Sequence, residues 1–261
     1  QIPGFNLAVD YFDISIDDAI TTIPPSQSLS QCLATGDATF CDLVVRDQDG
    51  SLFASPVPPP GSPFQFAGVQ AQNLNIANLA TRGLDISANY NFDLGDIGAG
   101  NLGSINFNYV STILLELSTV PFPGADTVEC AGLYRGSCVG PSPEYRHRFL
   151  TTWQTPWNVD FTATWRYTGA TMFDTGQSTG GAFVPQVATI DDRLDVAQYL
   201  DLSAQWNVRE GVTFRTGIQN VFGRDPELTT RAGTAPGNGD TFPAFYDPAG
   251  RFIFVGVNLE I

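Results

Sequence analysis

Catalysis by a histidine needs a nucleophile or a held water beside the ring. The one histidine of this chain, His147, lies in Tyr145-Arg146-His147-Arg148-Phe149, and no motif ties a nucleophile to it. Among arginines it reads as structural or ligand-facing, and no enzymatic activity is expected. The four cysteines fall in two close pairs, Cys32 with Cys41 and Cys130 with Cys138, each in a stretch rich in Gly, Pro and Ser. Zinc ligation would show C-x-x-C spacing or several histidines, so two local disulfides are expected and no metal. Such bonds require an oxidising compartment, a periplasm or a cell surface. Asp37, Asp42, Asp47 and Asp49 crowd one stretch, but the EF-hand spacing that calcium would need is missing, leaving a solvated acidic loop. Gly98-Ala99-Gly100-Asn101-Leu102-Gly103 matches G-x-G-x-x-G, yet an alternating Ser104-Ile105-Asn106-Phe107 follows it instead of a helix. The segment therefore reads as a flexible turn, and no cofactor is expected.

Charge narrows the partners. With 27 acidic residues against 12 arginines and no lysine, the net charge of −15 repels phosphate backbones and argues against nucleic acid. No run reaches the roughly 18 apolar residues of a membrane-spanning helix. A β-barrel escapes that test, because lipid-facing residues alternate with lumen-facing ones, and a mean hydropathy of −0.03 is compatible with it. It is equally compatible with a soluble β-protein.

The elements that would position these residues are strands. Eight segments alternate apolar with polar residues, near 4–20, 81–94, 104–117, 144–155, 157–169, 198–208, 212–222 and 251–261. In one, Val159, Phe161, Ala163, Trp165 and Tyr167 share a face opposite Asp160, Thr162, Thr164 and Arg166. In the last, Ile253, Val255, Val257, Leu259 and Ile261 oppose Gly256, Asn258 and Glu260. The first strand changes parity between Tyr11 and Phe12, where a β-bulge is expected.

Long connections near 21–80, 118–143, 170–197 and 223–250 alternate with short ones near 95–103, 156 and 209–211. That rhythm is the one of outer-membrane barrels, with long extracellular loops and short periplasmic turns. Phe92, Trp153, Trp157, Trp206 and Phe222 are read as an interfacial girdle at the short-turn end. The fold class expected is thus all-β, an antiparallel up-and-down transmembrane β-barrel segment of about eight strands, forming one domain over residues 1–261.

Asn220-Val221-Phe222-Gly223-Arg224-Asp225-Pro226 resembles the Asn-Leu-Phe-Asp motif that closes the penultimate strand of TonB-dependent receptors. Tyr246-Asp247-Pro248-Ala249-Gly250-Arg251-Phe252-Ile253-Phe254-Val255-Gly256-Val257 is similar to their final loop and strand. Gln198-Tyr199-Leu200-Asp201-Leu202-Ser203, Thr81-Arg82-Gly83-Leu84-Asp85-Ile86 and Val9-Asp10-Tyr11-Phe12 fit earlier strands, so the resemblance runs through nearly the whole chain. It implies the C-terminal part of a 22-stranded barrel, with the plug domain absent from this chain. It further implies the outer membrane of a Gram-negative bacterium, lipid and lipopolysaccharide around the wall, and energised nutrient uptake through the TonB complex. Gly256, Leu259 and Ile261 correspond to the signal read by the barrel-assembly machinery, although Ile261 stands where the family commonly has an aromatic residue.

Trp153, Phe245 and Tyr246 are candidate ligand-stacking aromatics. The disulfide-bearing loops resemble those of receptors for oligosaccharides and other organic nutrients, which favours such cargo over iron–siderophore complexes. Two other readings remain: a self-standing eight-stranded barrel, structural or adhesive, and a soluble secreted glycan-binding β-protein. Self-closure would require Arg146, Arg148, Arg166, Arg215, Asp85, Asp160, Asp201 and Glu260 to pair inside the lumen.

Overall fold

Period-two alternation gives a segment one face for each of two media, and all eight such segments are strands in the computed structural model. It describes residues 2–47, 50–52, 67–134, 138, 140–173, 192–229 and 239–260. The strands are β1 (Phe5–Thr22), β2 (Asn73–Asp93), β3 (Ser104–Val120), β4 (Tyr145–Gln154), β5 (Val159–Thr168), β6 (Ala197–Arg209), β7 (Val212–Gln219) and β8 (Phe252–Leu259). Each pairs antiparallel with the next, in chain order, and Val128–Glu129 adds a short piece to the outer end of β3. The sheet is open: among the described residues β1 pairs only with β2 and β8 only with β7. It is part of a barrel wall and not a closed barrel of eight.

Register fixes the two faces. One row of Cα partners crosses the whole sheet as Phe5, Tyr90, Phe107, Thr151, Ala163, Leu202, Ile218 and Ile253. Shifted by one level, the opposite face reads Asn6, Asn89, Asn108, Leu150, Thr164 and Asp201. The first face is the lipid side and the second the lumen side.

Aromatic rings collect at both ends of the lipid side. Near the short turns, Trp153 packs on Trp157 and Phe161 with centroids 6.1 and 5.8 Å apart, and Tyr90 stacks on Phe92. Near the long loops His147 stacks on Tyr167 at 5.1 Å and meets Trp165 edge-on at 4.6 Å, while the Tyr109 and Tyr145 hydroxyls share a 2.7 Å hydrogen bond. Trp153 and Tyr145 bracket β4, so the two belts stand roughly 20 Å apart for a strand tilted about 40°. Phe222 does not belong to the short-turn belt: β7 runs from its short turn toward the long loop, and Phe222 lies just past its far end, 76% exposed.

The parity change in β1 has a different cause from the bulge expected at Tyr11 and Phe12. Pairing with β2 is unbroken from Phe5 to Ile16, and the register shifts come only around Ala19, after Asp18 at φ 55°. Phe12, Ile14 and Ile16 simply face the lumen side, where Phe12 covers Gly83. β2 likewise begins at Asn73, eight residues before the alternation at Thr81 suggests. Its 21 residues reach about 70 Å, far beyond the roughly ten residues that cross a membrane. The outer parts of β1 to β3 therefore stand above the bilayer.

Both expected disulfides are formed there. Cys32–Cys41 ties helix α1 (Pro25–Thr35) to helix α2 (Ala38–Cys41), over a small core of Ile23, Phe40, Leu43 and Phe122. Asp37 caps α2, accepting a 2.8 Å hydrogen bond from the Thr39 N–H, and that bond holds its carboxyl below the usual range. Asp47 accepts from the Ser51 N–H at 2.7 Å, and Asp49 lies outside the described residues. Two of the clustered aspartates thus serve backbone turns. Cys130–Cys138 packs with Val128 against Leu117 of β3.

Close packing on the lumen side yields a first testable consequence. The Phe254 ring of β8 lies on Gly217 of β7, and a Cβ there would come within 2.6 Å of the ring and 2.9 Å of the Leu202 carbonyl oxygen. Gly217→Val is expected to cost about 1–3 kcal/mol, as overpacking does. It would be read as a lower midpoint for the loss of heat-modifiable gel mobility; an unchanged midpoint would mean that β8 is not seated this way.

Candidate functional site

The lumen side of the outer third carries an arginine cluster because β4 and β5 place charged residues at lumen parity. Successive rows read Ala8, Ser87, Val110, Arg148, Arg166, Tyr199 and Asp10, Asp85, Thr112, Arg146, Thr168. Arg166 is locked. Its Nε and terminal nitrogen donate to the two oxygens of Asp201 at 2.7 and 3.0 Å, and it reaches Asp247 at 3.1 Å, with its guanidinium 4.8 Å from the centre of the Tyr199 ring. Arg146 and Arg148 have no hydrogen-bonding or ionic partner among the described residues and are exposed to the interior. Asp85 of the same row is two strands from Arg146 and accepts instead from the Thr112 hydroxyl at 2.7 Å.

A roof over these arginines comes from residues 242–248, which fold inward from the long connection before β8. Asp247 joins it to Arg166, and the Asp247 N–H donates to the Tyr199 hydroxyl at 3.0 Å. Tyr246 is buried against Tyr134, Leu194, Ala197, Tyr199 and Phe245. Its hydroxyl lies 2.6 Å from Glu227 Oε2 and 2.7 Å from the Asp195 carbonyl oxygen. Burial, then the hydrogen bond to Glu227, push that hydroxyl well above the usual tyrosine range, so it stays a donor.

Asn220 ties this roof to the wall. Fully buried at φ 50°, it donates its amide to the Arg224 carbonyl at 2.8 Å, and its side-chain oxygen accepts from the Arg224 N–H at 2.9 Å. Its own N–H donates to Asp201 at 2.8 Å. The motif at the end of β7 thus orients the carboxylate that orients Arg166. Together wall and roof enclose a concavity of about 730 Å³ lined by Arg146, Arg148, Arg166, Tyr199, Phe245 and Tyr246, among others. Two guanidinium groups without a partner among the described residues, beneath aromatic rings, suit an anion with flat or apolar parts.

Of the aromatic candidates, Phe245 and Tyr246 line this concavity. Trp153 does not meet them. It stands at the short-turn end of β4 on the lipid side, where its indole N–H donates to the Leu102 carbonyl at 2.9 Å. Gly256 and Leu259 occupy β8, opposite Arg215 and Val212, and Ile261 lies outside the described residues. Sequence reading put Arg166 and Asp201 on the lumen side but missed Asp247 as their third member. A second, apolar recess of about 350 Å³ lies higher on the lumen side, between Ile14, Ile16, Leu79, Leu117 and the Cys130–Cys138 bridge.

The family model described as TonB dependent receptor-like, beta-barrel matches residues 2–221. No curated protein matches the chain. Among solved structures, the siderophore receptor PirA from Acinetobacter baumannii superposes with a TM-score of 0.60 at 12% identity, over 100% of this chain and 30% of that one. A mutant of the ferric enterobactin receptor PfeA from Pseudomonas aeruginosa gives 0.56 at 14% identity, over 99% of this chain and 29% of that one. A PfeA mutant in complex with enterobactin gives 0.55 at 13%, over 99% and 30%. At such identity the likeness speaks for the fold alone, and the chain spans under a third of the length of these receptors.

Proposed function

Since the chain belongs to the TonB-dependent receptor-like β-barrel family, matched over residues 2–221, we propose that it forms the C-terminal wall and part of the extracellular mouth of an energised importer in an outer membrane. Residues 1–261 act as one barrel segment in this reading. The rest of the barrel pairs along the free edges of β1 and β8, and a plug carried elsewhere in the receptor links the site to the TonB complex. Its role is transport and not catalysis.

The observation that carries the cargo assignment is the pair Arg146 and Arg148, lumen-facing and without an ionic partner among the described residues, in a chain of net charge −15. A neutral oligosaccharide can accept hydrogen bonds from guanidinium groups but does not compensate their charge. An anionic iron chelate does, and the siderophore receptors among the structural relatives support the same choice. The disulfide-bearing loops no longer favour oligosaccharides, because both bridges are accounted for by local packing above the bilayer.

The test is uptake by cells carrying or lacking the whole receptor, with radiolabelled iron presented as anionic catecholate chelates and with labelled oligosaccharides. Iron uptake that depends on the receptor and stops when the proton-motive force is collapsed is expected. Receptor-dependent uptake of oligosaccharide, with iron unaffected, would sink the assignment.

A further inference from the structure

Above the bilayer both faces of β1 to β3 meet water, yet only the outward one is polar. There Asp13, Arg82 and Glu116 are register partners, and Arg82 reaches Glu116 at 3.0 Å. The lumen side at the same height is aliphatic. Ile14, Ile16 and Leu79 stand about half-exposed in the recess of about 350 Å³ that the Cys130–Cys138 bridge helps to enclose. Among the described residues no charged or aromatic side chain lines it, and its polar side chains are the hydroxyls of Thr81, Ser118 and Thr119. Contiguous aliphatic surface left open to water marks an interaction site. Standing above the bilayer and inside the wall, the recess is out of reach of the membrane's acyl chains. It is continuous instead with the arginine concavity. Thr112 lines that concavity, and from it Leu114 and Phe12, whose ring covers Gly83, lead outward to Leu117 and Ile14. The path from Thr112 to Leu117 is roughly 15 Å along β3. Asp85, bonded to Thr112, and Asp10 lie on the far side of Thr112 from Arg146, so an anion is held at the arginine end of the path.

We propose that this recess binds an aliphatic tail of the cargo, so that what is imported is an amphiphile, an anionic iron chelate carrying an alkyl chain. The assignment rests on the reading of Arg146 and Arg148 given above and names the other end of the same ligand. Its head lies on the arginines, its chain runs past Thr112 and Leu114, and the end of the chain enters between Ile14, Ile16, Leu79 and Leu117. The lining favours a chain over a ring or a sugar, because it has no aromatic face for stacking and few polar groups for hydroxyls to meet. The volume suits a chain of about ten methylenes, each taking a share close to that of a water molecule in the liquid.

The test is a titration of the whole receptor, held in lipid nanodiscs, with one anionic ferric catecholate bearing either a butyl or a nonyl tail. Empty nanodiscs titrated in parallel correct for partition into lipid. Full burial of a methylene raises affinity about fourfold and burial in a recess open on one side about twofold, so the nonyl chelate is expected to bind roughly 30-fold more tightly. Thr81 pairs with Ile14 and Leu117 on the floor of the recess. Thr81→Phe, which fills that space, is expected to cut the nonyl advantage to under about threefold and to leave the butyl chelate unchanged. Replacing Arg146 and Arg148 with glutamine should weaken both chelates by the same factor. Equal affinity for the two tails, as would follow if another segment of the receptor already fills the recess, would overturn the proposal and leave the arginine site standing. A nonyl advantage that survives Thr81→Phe would overturn it by placing the tail elsewhere. Binding of neither chelate would overturn the arginine reading and this one with it. Should Thr81→Phe fail to assemble, Leu79→Ser, at a half-exposed position, decides by the same loss of the nonyl advantage.

Discussion

Replacing Arg146 and Arg148 together with glutamine should weaken binding of an anionic iron chelate by about 100-fold, because each charge-assisted hydrogen bond contributes about 1.5 kcal/mol. Both side chains are exposed to the interior and hold no other side chain among the described residues, so the fold should be unaffected. Affinity of the unaltered receptor should also fall as ionic strength rises, and that slope should flatten in the variant, because exposed charges are screened within about 8 Å at physiological salt. Fluorescence titration of the detergent-solubilised receptor at several salt concentrations measures both effects. An affinity and a salt slope unchanged by the double substitution would remove the arginines from the site.

Arg166→Met tests the roof instead of the cargo. The arginine sits between Asp201 and Asp247, whose side chains keep only 18% and 14% of their exposure, and removing it leaves two enclosed carboxylates facing each other. Breaking a buried pair from one side costs about 3–5 kcal/mol, and here about 3 kcal/mol is expected because Arg166 itself is a third exposed. Since Asp201 is on the wall and Asp247 on the roof, the loss should appear as release of residues 242–248. Hydrogen exchange there should rise by about two orders of magnitude while β4 to β7 stay protected. Asp247→Asn should do less, since Arg166 keeps both bonds to Asp201. Unchanged exchange in Arg166→Met would mean that the aromatic contacts of Phe245 and Tyr246 hold the roof alone.

What could be read from the sequence was what repeats at period two. Val159 to Tyr167 and Phe252 to Leu259 show their lipid side in their order of residues, and the eight strands follow. Where the surroundings change along a strand, the pattern misleads. Phe12, Ile14 and Ile16 invert the alternation because β1 leaves the bilayer, and there Ile14 and Ile16 line an apolar recess on the lumen side together with the Cys130–Cys138 bridge, which one strand's residues do not reveal. Asn73 to Ala80 was hidden for the same reason, its asparagines resembling a loop although they pair with β1. The roof was out of reach because Arg166 and Asp247 are 81 residues apart and only the returning loop brings them together. The cysteine pairs, at separations of 9 and 8, were local enough to read.

Among the described residues each long strand pairs with no other long strand than its predecessor and successor in the chain, so the wall has low contact order for an all-β structure. Growth can proceed as a zipper, each arriving strand docking on the exposed edge left by the last, with loop-closure entropy incurred one hairpin at a time. The short turns at 94–103, 155–158 and 210–211 make β2–β3, β4–β5 and β6–β7 the natural units of addition. Kinetic difficulty is then concentrated in the junctions, where the long connections must bring β1 to β2, β3 to β4, β5 to β6 and β7 to β8.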